Sequence, residues 1–292
     1  YTPAYLYGQL LWTSIFGYSI SAFRAYPAFV TTLTIAALFL YTKNNSNKKV
    51  ALYIAFCASA LPWAFQFSRI AWDPPLAPLF LIAGLWMTSF KRLWWFAGIP
   101  FALSIYSYPP LRIITPLILF FLPNLATKKK IIVFGILTCC CIPLAYAFQK
   151  ENFFSRSNML SIWSEVYYNP YRHYSAIELI QVFLRNWFAH LSPSFLFNRG
   201  DVNLRHSIQS FGMLSWLDIF ALLASPYLLI KYLRQVNSTF DPPQKKLIAI
   251  SLLGIGISLI PAALTNEAPP HALRTITAWP FYAIFTGTIL YQ

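Results

Sequence analysis

Nine stretches of roughly 15 to 20 residues that carry almost no charge, joined mostly by short connections, govern what this chain can fold into. They are 27–41, 50–67, 74–90, 93–107, 111–127, 131–149, 211–230, 247–264 and 275–291. A membrane span needs about 20 mostly apolar residues, or somewhat fewer when the helix is bent or partly covered by protein. Only 10% of the 292 residues are Asp, Glu, Lys or Arg, where soluble domains carry about a quarter. Disorder is excluded as well, because 58% of the chain is hydrophobic and 18% aromatic. The pattern predicts an all-α fold, a polytopic transmembrane bundle of about nine spans forming one domain over 1–292. The first 23 residues are apolar but broken by Pro3 and Gly17, and predict an interfacial helix or the end of a preceding span. The chain starts at Tyr1 and stops at Gln292 within an apolar run, so further residues are expected on both sides.

The formal charge of +14 would by itself suggest an acidic partner such as nucleic acid. Its placement says otherwise. Lysine and arginine in short loops mark the cytoplasmic side. Alternate loops hold Lys43, Lys48, Lys49, Lys91, Arg92, Lys128, Lys129, Lys130, Lys231, Arg234, Lys245 and Lys246, ten lysines and two arginines. The other side receives Arg24, Arg69, Arg112, Lys150, Arg156, Arg172, Arg185, Arg199, Arg205 and Arg274, nine arginines and one lysine. Asp241 is the one acid inside. The other seven acids and all four histidines fall outside, which leaves +11 inside and +3 outside. Most of the excess is therefore an orientation signal, and nucleic acid is excluded as a partner. The outer arginines carry a different meaning, because a planar guanidinium grips phosphate or carboxylate bidentately. The sequons at Asn44 and Asn237 fall in inner loops.

The connection 150–210 is long enough to fold on the outer membrane surface. Within it Ile177, Ile180, Phe183, Leu184, Trp187, Phe188 and Leu191 follow helical spacing. They predict either an interfacial helix or one packed against the spans. Cys57 and the run Cys139, Cys140, Cys141 lack metal-ligand spacing and read as packing residues.

Four outer clusters carry chemistry. Arg69 and Asp73 stand four apart, so one helical face holds both, or Asp73 before Pro74 caps the next helix. Tyr106, Tyr108 and Arg112 surround a Pro-Pro turn, and Arg112 sits at a helix start, where a cation is unfavourable unless an anion is near. His271 and Arg274 open the last span in the same way. Their alternative is an ion pair with Glu267 or Asp201, or a snorkelling side chain. The fourth, 198–207, holds Asp201, Asn203, Arg205 and His206, a dense polar set with a plain membrane-edge turn as its alternative. The outer acids are scattered, so the sequence gives a divalent metal little support and predicts no cofactor.

In the order and spacing of Ser68-Arg69 with Asp73, Tyr106-x-Tyr108 with Arg112, Gly200-Asp201-x-Asn203-x-Arg205-His206-Ser207 and His271-x-x-Arg274, the chain resembles GT-C membrane glycosyltransferases. Bacterial relatives of protein O-mannosyltransferases and of the lipid A aminoarabinose transferase are the branch it is most similar to. The resemblance implies a cell-membrane, multi-pass enzyme with its active face outside. It implies a polyprenyl-phosphate sugar donor, a glycan, lipid or protein acceptor, and inversion at the anomeric carbon. It further implies that Asp73 is a catalytic or acceptor-orienting residue. Arg69, Tyr108, Arg112, Asp201, Asn203, Arg205, His206, His271 and Arg274 are then substrate-binding, and the family's principal acidic motif is expected upstream of Tyr1. The rival is a transporter or flippase for an anionic lipid-linked sugar, which predicts polar residues at mid-membrane and related halves. Neither is visible in the sequence.

Overall fold

The structure, a computed structural model, describes residues 2–123, 125–147, 159–164, 174–233 and 241–292. Lys150, Glu151, Arg156, Glu165, Arg172, Arg234 and Asn237, which the charge and sequon patterns invoke, lie outside them. The described part is helical. Its helices are α1 Pro3–Phe16, α2 Ile20–Asn45, α3 Lys48–Ala60, α4 Pro62–Ser68, α5 Leu76–Thr88, α6 Gly98–Ser107, α7 Leu111–Phe121, α8 Thr127–Cys140, α9 Ile142–Ala147, α10 Ala176–Ala189, α11 Trp216–Leu233, α12 Pro242–Ala263 and α13 Trp279–Leu290. No strand forms among the described residues, and one isolated antiparallel bridge pairs Ser161 with Thr265.

All nine predicted segments contain helix, but the expectation of about nine spans is not met. Among the described residues only α2 and α12 are long and apolar enough to cross a membrane by length and composition. The pair α3–α4, bent by 58° at Leu61, makes a third if taken as one broken span. The reason is geometric. At 1.5 Å rise per residue, the 13 residues of α5 or the 11 of α7 reach only about 16–20 Å of a hydrocarbon core about 30 Å thick. Local chemistry sets the breaks. Proline opens α4 at its first position, Trp94–Ala97 is a 3-10 turn ahead of α6, and Cys141 separates α8 from α9.

α2 packs on α3 and α5, and α13 on α3 and α12. Trp63, Tyr41, Phe67, Phe101 and Phe281 are among the largest fully buried side chains. Cys57 is buried as a packing residue, whereas Cys139 is exposed. Around this core the surface is apolar, as lipid contact requires. α1 buries Tyr5, Gln9 and Thr13 at four-residue spacing and turns Leu6, Tyr7, Leu10 and Leu11 outward. α10 begins with a capping box between Ser175 and Glu178. It docks Trp187 on α12 through the indole N–H to the Gly256 carbonyl at 3.1 Å. Ile177, Ile180, Leu184 and Phe188 remain exposed on a separate stripe, so packing against the bundle accounts for one face of this helix and leaves the other uncovered.

Polar contacts gather at two ends. At the lysine-rich end Asn44 donates to Ser89 at 3.2 Å, Lys129 lies over the Trp94 ring, Lys130 donates to the Phe120 carbonyl and Gln292 donates to Gln244. At the other end Thr2 donates to Asp73 and to the Ser107 carbonyl, Trp63 to the Ala272 carbonyl and Tyr106 to the Cys140 carbonyl. Loops assigned to opposite sides by their Lys/Arg content thus meet partners from their own side.

Candidate functional site at the arginine-rich end

The centre of the site is Asp201. Its carboxylate is 1% exposed and is held from three directions. Oδ1 accepts from the Asn203 backbone N–H at 2.8 Å, and Oδ2 accepts from the Ala272 N–H at 2.7 Å and from His206 Nδ1 at 2.8 Å. Burial pushes this acid up, but the hydrogen bonds from His206, Asn203 and Ala272 outweigh it and leave Asp201 below the usual carboxylate range. The loop reaches this geometry through Gly200, whose φ of 72° is left-handed. A Cβ there would lie 2.5 Å from Ser207 Oγ and 2.7 Å from Met213 Cε. Asn203 closes the next turn by accepting the Arg205 N–H at 3.0 Å, and Ser207 donates to the Arg199 carbonyl at 3.1 Å.

His206 donates through Nδ1 to the Asp201 carboxylate. The ring packs between Trp72, 5.7 Å away, and Phe67, 6.0 Å away, with His271 at 4.7 Å. His271 is positioned by a residue that the sequence clusters do not contain. Its backbone N–H donates to His190 Nε2 at 2.9 Å, and His190 Nδ1 in turn donates to the Asn186 carbonyl at 2.7 Å. Both bonds require a neutral His190. Burial drives its pKa down to about 4. His271 falls to about 3 through burial and the nearby Arg274 and His206. Asn186 completes the seam, donating to the Thr265 carbonyl at 3.0 Å.

Arg274 resolves the alternative left open for it. Its guanidinium pairs with Glu267 and donates to Thr265 Oγ1 at 2.6 Å, so a protein carboxylate already neutralises this cation. Arg112 is the second residue of α7 and half-buried, and Tyr108 packs against the core. Arg205 is exposed, and its side chain makes no hydrogen bond or ion pair among the described residues.

Arg69 and Asp73 do not share a helical face. α4 ends at Ser68 and Arg69 is its C-cap, where a cation suits the helix dipole. Asp73 lies in the turn beyond and is not a cap either, since α5 starts at Leu76 with Pro75 before it. The Asp73 carboxylate instead accepts the Thr2 N–H at 3.3 Å. Arg69 donates to Gln66 at 3.1 Å and lies over the Phe65 ring. It borders two openings. One, of about 360 Å³, is lined by Leu61, Phe65, Gln66, Arg69, Ser207 and Met213 among others. The other, of about 490 Å³, lies between α2 and α4 and includes Arg24.

Asp201, His206 and His271 each offer one ligand atom within 4.8 Å of the others, and Asp with two His is a donor set that transition metals accept. The atoms are already committed, however. Both carboxylate oxygens accept hydrogen bonds, and His271 Nδ1 faces the Arg274 N–H at 3.4 Å. A metal would have to replace the Asp201–His206 bond beside a guanidinium. The cluster is a closed hydrogen-bonded clamp and does not fit a metal as a ready cage.

Of the predicted residues, the structure thus joins Asp201, Asn203, His206 and His271 in one network with Arg274 at its edge. It places Arg69 on the adjoining cavity through the shared 206–207 loop. Asp73 is engaged by Thr2 instead. Sequence reasoning missed Asn186 and His190. Their signal is a polar pair four residues apart in an otherwise apolar helix end.

No family model matches the sequence, and no curated protein matches it. Solved structures of the Archaeoglobus fulgidus oligosaccharyltransferase do match in fold. The apo form gives a TM-score of 0.56 at 14% identity, over 100% of this chain and 42% of that one. The complex with Zn and sulfate gives 0.52 at 15%, over 100% and 40%. The form tethered to an acceptor peptide containing the NVT sequon gives 0.52 at 14%, over 100% and 41%. The chain spans about two-fifths of the length of these neighbours. What the chain shares with these structures is the fold.

Proposed function

We propose that this chain belongs to a membrane glycosyltransferase that moves a sugar from a polyprenyl-phosphate carrier to a glycan, lipid or protein acceptor at the outer face of the cell membrane. The observation that carries the reading is the gathering of the Asp201–His206–His271 clamp, Arg205 and the Arg69-bordered cavities at one end of a GT-C-type fold. In the reaction, an acceptor hydroxyl attacks the anomeric carbon opposite the phosphate. The new C–O bond forms as the old one breaks, its electron pair leaves on the phosphate oxygen, and the configuration inverts. The hydroxyl proton passes to a carboxylate, for which Asp73 is this chain's candidate. Charge grows on the leaving phosphate, and fixed cations stabilise it more in the transition state than in the ground state. Arg69, Arg112 and Arg205 are the candidates, with Tyr108 and Asn203 beside them, while Arg274 serves the architecture through Glu267.

The test is transfer of label from radiolabelled polyprenyl-phosphate sugars by the full-length protein. Arg205→Ala is expected to lower the rate about tenfold, less than the roughly 10²–10³ lost with a preorganised donor, because nothing holds this exposed side chain in place. Absence of transfer from every lipid-linked donor would overturn the reading. Movement of the intact lipid-linked sugar across the bilayer would favour the transporter.

A further inference from the structure

Orientation asks only that cations stay on one side of a membrane, not that cations from separate loops converge. At the lysine-rich end two loops do converge. The turn that carries Lys91 and Arg92 leads into Trp94–Ala97, against which α8 packs. Lys129 of α8 places its ammonium 5.1 Å from the centre of the Trp94 ring, and Lys130 reaches back 2.7 Å to the Phe120 carbonyl at the end of α7. Lys91, Arg92 and Lys128 are exposed. These cations share one patch, and no carboxylate pairs with any of them among the described residues. Three of them also occupy the first turn of α8, which holds no acid and receives no side-chain cap from Ala126. Cations there oppose the positive helix end, so the fold gathers like charges without their counterpart.

What lies against the patch selects that counterpart. Phe120 and Phe121 just before it and Ile131 and Ile132 just after it are 48% to 65% exposed, and Trp95 is exposed as well. Cations standing directly on bare apolar surface, with tryptophan at the border, match the headgroup level of a bilayer. A soluble polyanion would neutralise the lysines and leave the four apolar side chains in water. A phospholipid covers both, with its phosphate among the cations and its acyl chains beside the phenylalanines and isoleucines. We propose that the Lys91–Arg92 and Lys128–Lys130 turns together bind an anionic glycerophospholipid from the leaflet on the lysine-rich side. Lys129 on the Trp94 ring and Lys130 on the Phe120 carbonyl are oriented before the lipid arrives, and the exposed Lys91, Arg92 and Lys128 close on its phosphate. The site lies at the opposite end from the Asp201 clamp and does not depend on the transferase reading.

The experiment titrates delipidated full-length protein, in a zwitterionic detergent, with a phosphatidylglycerol that carries a fluorophore on one acyl chain. Unlabelled phosphatidylglycerol, phosphatidylcholine, inorganic phosphate and polyglutamate serve as competitors. Phosphatidylglycerol is expected to displace the probe, and the other three to fail at about tenfold higher concentration. One cation near an anionic lipid head is worth about fivefold in binding, so Lys91→Gln/Arg92→Gln and Lys128→Gln/Lys129→Gln should each weaken it at least about tenfold. Lys128→Arg/Lys129→Arg should keep it within about twofold, a rescue that a loss through misfolding would not show. Arg185→Gln removes an exposed cation beside exposed Leu184 and Phe188 at the other end, and should likewise leave binding within about twofold. Equal binding by wild type and both glutamine pairs overturns the proposal, as does an equal loss on Arg185→Gln. Competition by phosphatidylcholine as strong as by phosphatidylglycerol overturns it too, and displacement by polyglutamate or inorganic phosphate replaces the lipid with a soluble anion.

Discussion

At the scale of single residues, His190 and His271 do their structural work uncharged. His190 must keep a lone pair on Nε2 to receive the His271 N–H, and its Nδ1 proton is committed to the Asn186 carbonyl. Protonation would put a second hydrogen where an acceptor is needed. Its folded pKa of about 4 and that of His271 at about 3 lie below the ordinary histidine value of 6.5. A histidine with a depressed folded pKa binds fewer protons than the unfolded chain between the two values, so stability rises with pH across that window. The contribution is fully present above about pH 6.5 and is lost as pH falls toward 4. Amide protection factors, corrected for the intrinsic exchange rate at each pH, are expected to fall between pH 7.5 and 5 in 186–206 and 264–275, where these bonds lie, while α2 and α12 keep theirs. Equal protection of the two loops at pH 5 and 7.5 would refute the neutral-histidine clamp.

Among helices, close approach rather than apolar burial decides packing, because lipid tails are as apolar as the helices they surround. Gly287 of α13 shows how close. A Cβ there would stand 2.5 Å from Ile54 Cα and 2.6 Å from its backbone nitrogen in α3. A backbone cannot swing aside as a side chain does, so Gly287→Val has to push α3 and α13 away from each other along a long shared interface. The expected cost is about 1–3 kcal/mol, seen as an earlier thermal unfolding transition in detergent. An unchanged transition would show that α3 and α13 do not meet in this way. Contacts of this kind also mark the limit of what the sequence reveals. Hydropathy locates every helical segment and gives the α10 periodicity. It cannot reveal that proline and backbone breaks cut 50–67 at Leu61 or 131–149 at Cys141, because apolar runs read alike whether the helix within them is straight or broken. The contact between Gly287 and Ile54 joins distant stretches of the chain and is invisible to any local pattern.

For the whole molecule, the informative feature is the chemical difference between its two ends. Alternating the loops by Lys/Arg content places Lys43, Lys91 and Lys128 on one side and Arg69, Arg205, His206 and Arg274 on the other. The folded chain brings together loops within each of those sets, through Asn44–Ser89 and Lys129–Trp94 at one end and Asp201–Ala272 and His190–His271 at the other. That much of the site is legible because topology is written in charge. The inner hydrogen bonds of the clamp are not, since the Asn186–His190 helix end, the Asp201 loop and the His271 turn come together only after three separate segments pack. Helices too short to span alone still have to present both ends to water. We propose on this ground that the lysine end lies in the cytoplasm and the clamp outside, since lysines resist translocation and arginines pair with an anionic lipid head. Single cysteines at exposed Arg205 and exposed Lys128, in a background with the four native cysteines replaced by serine or alanine, distinguish the two orientations. A membrane-impermeant maleimide added to intact cells is expected to label Arg205→Cys and to spare Lys128→Cys until the membrane is opened. The reverse pattern would put the site on the cytoplasmic face, and would overturn with it the whole proposal of transfer from an outward-facing lipid-linked donor.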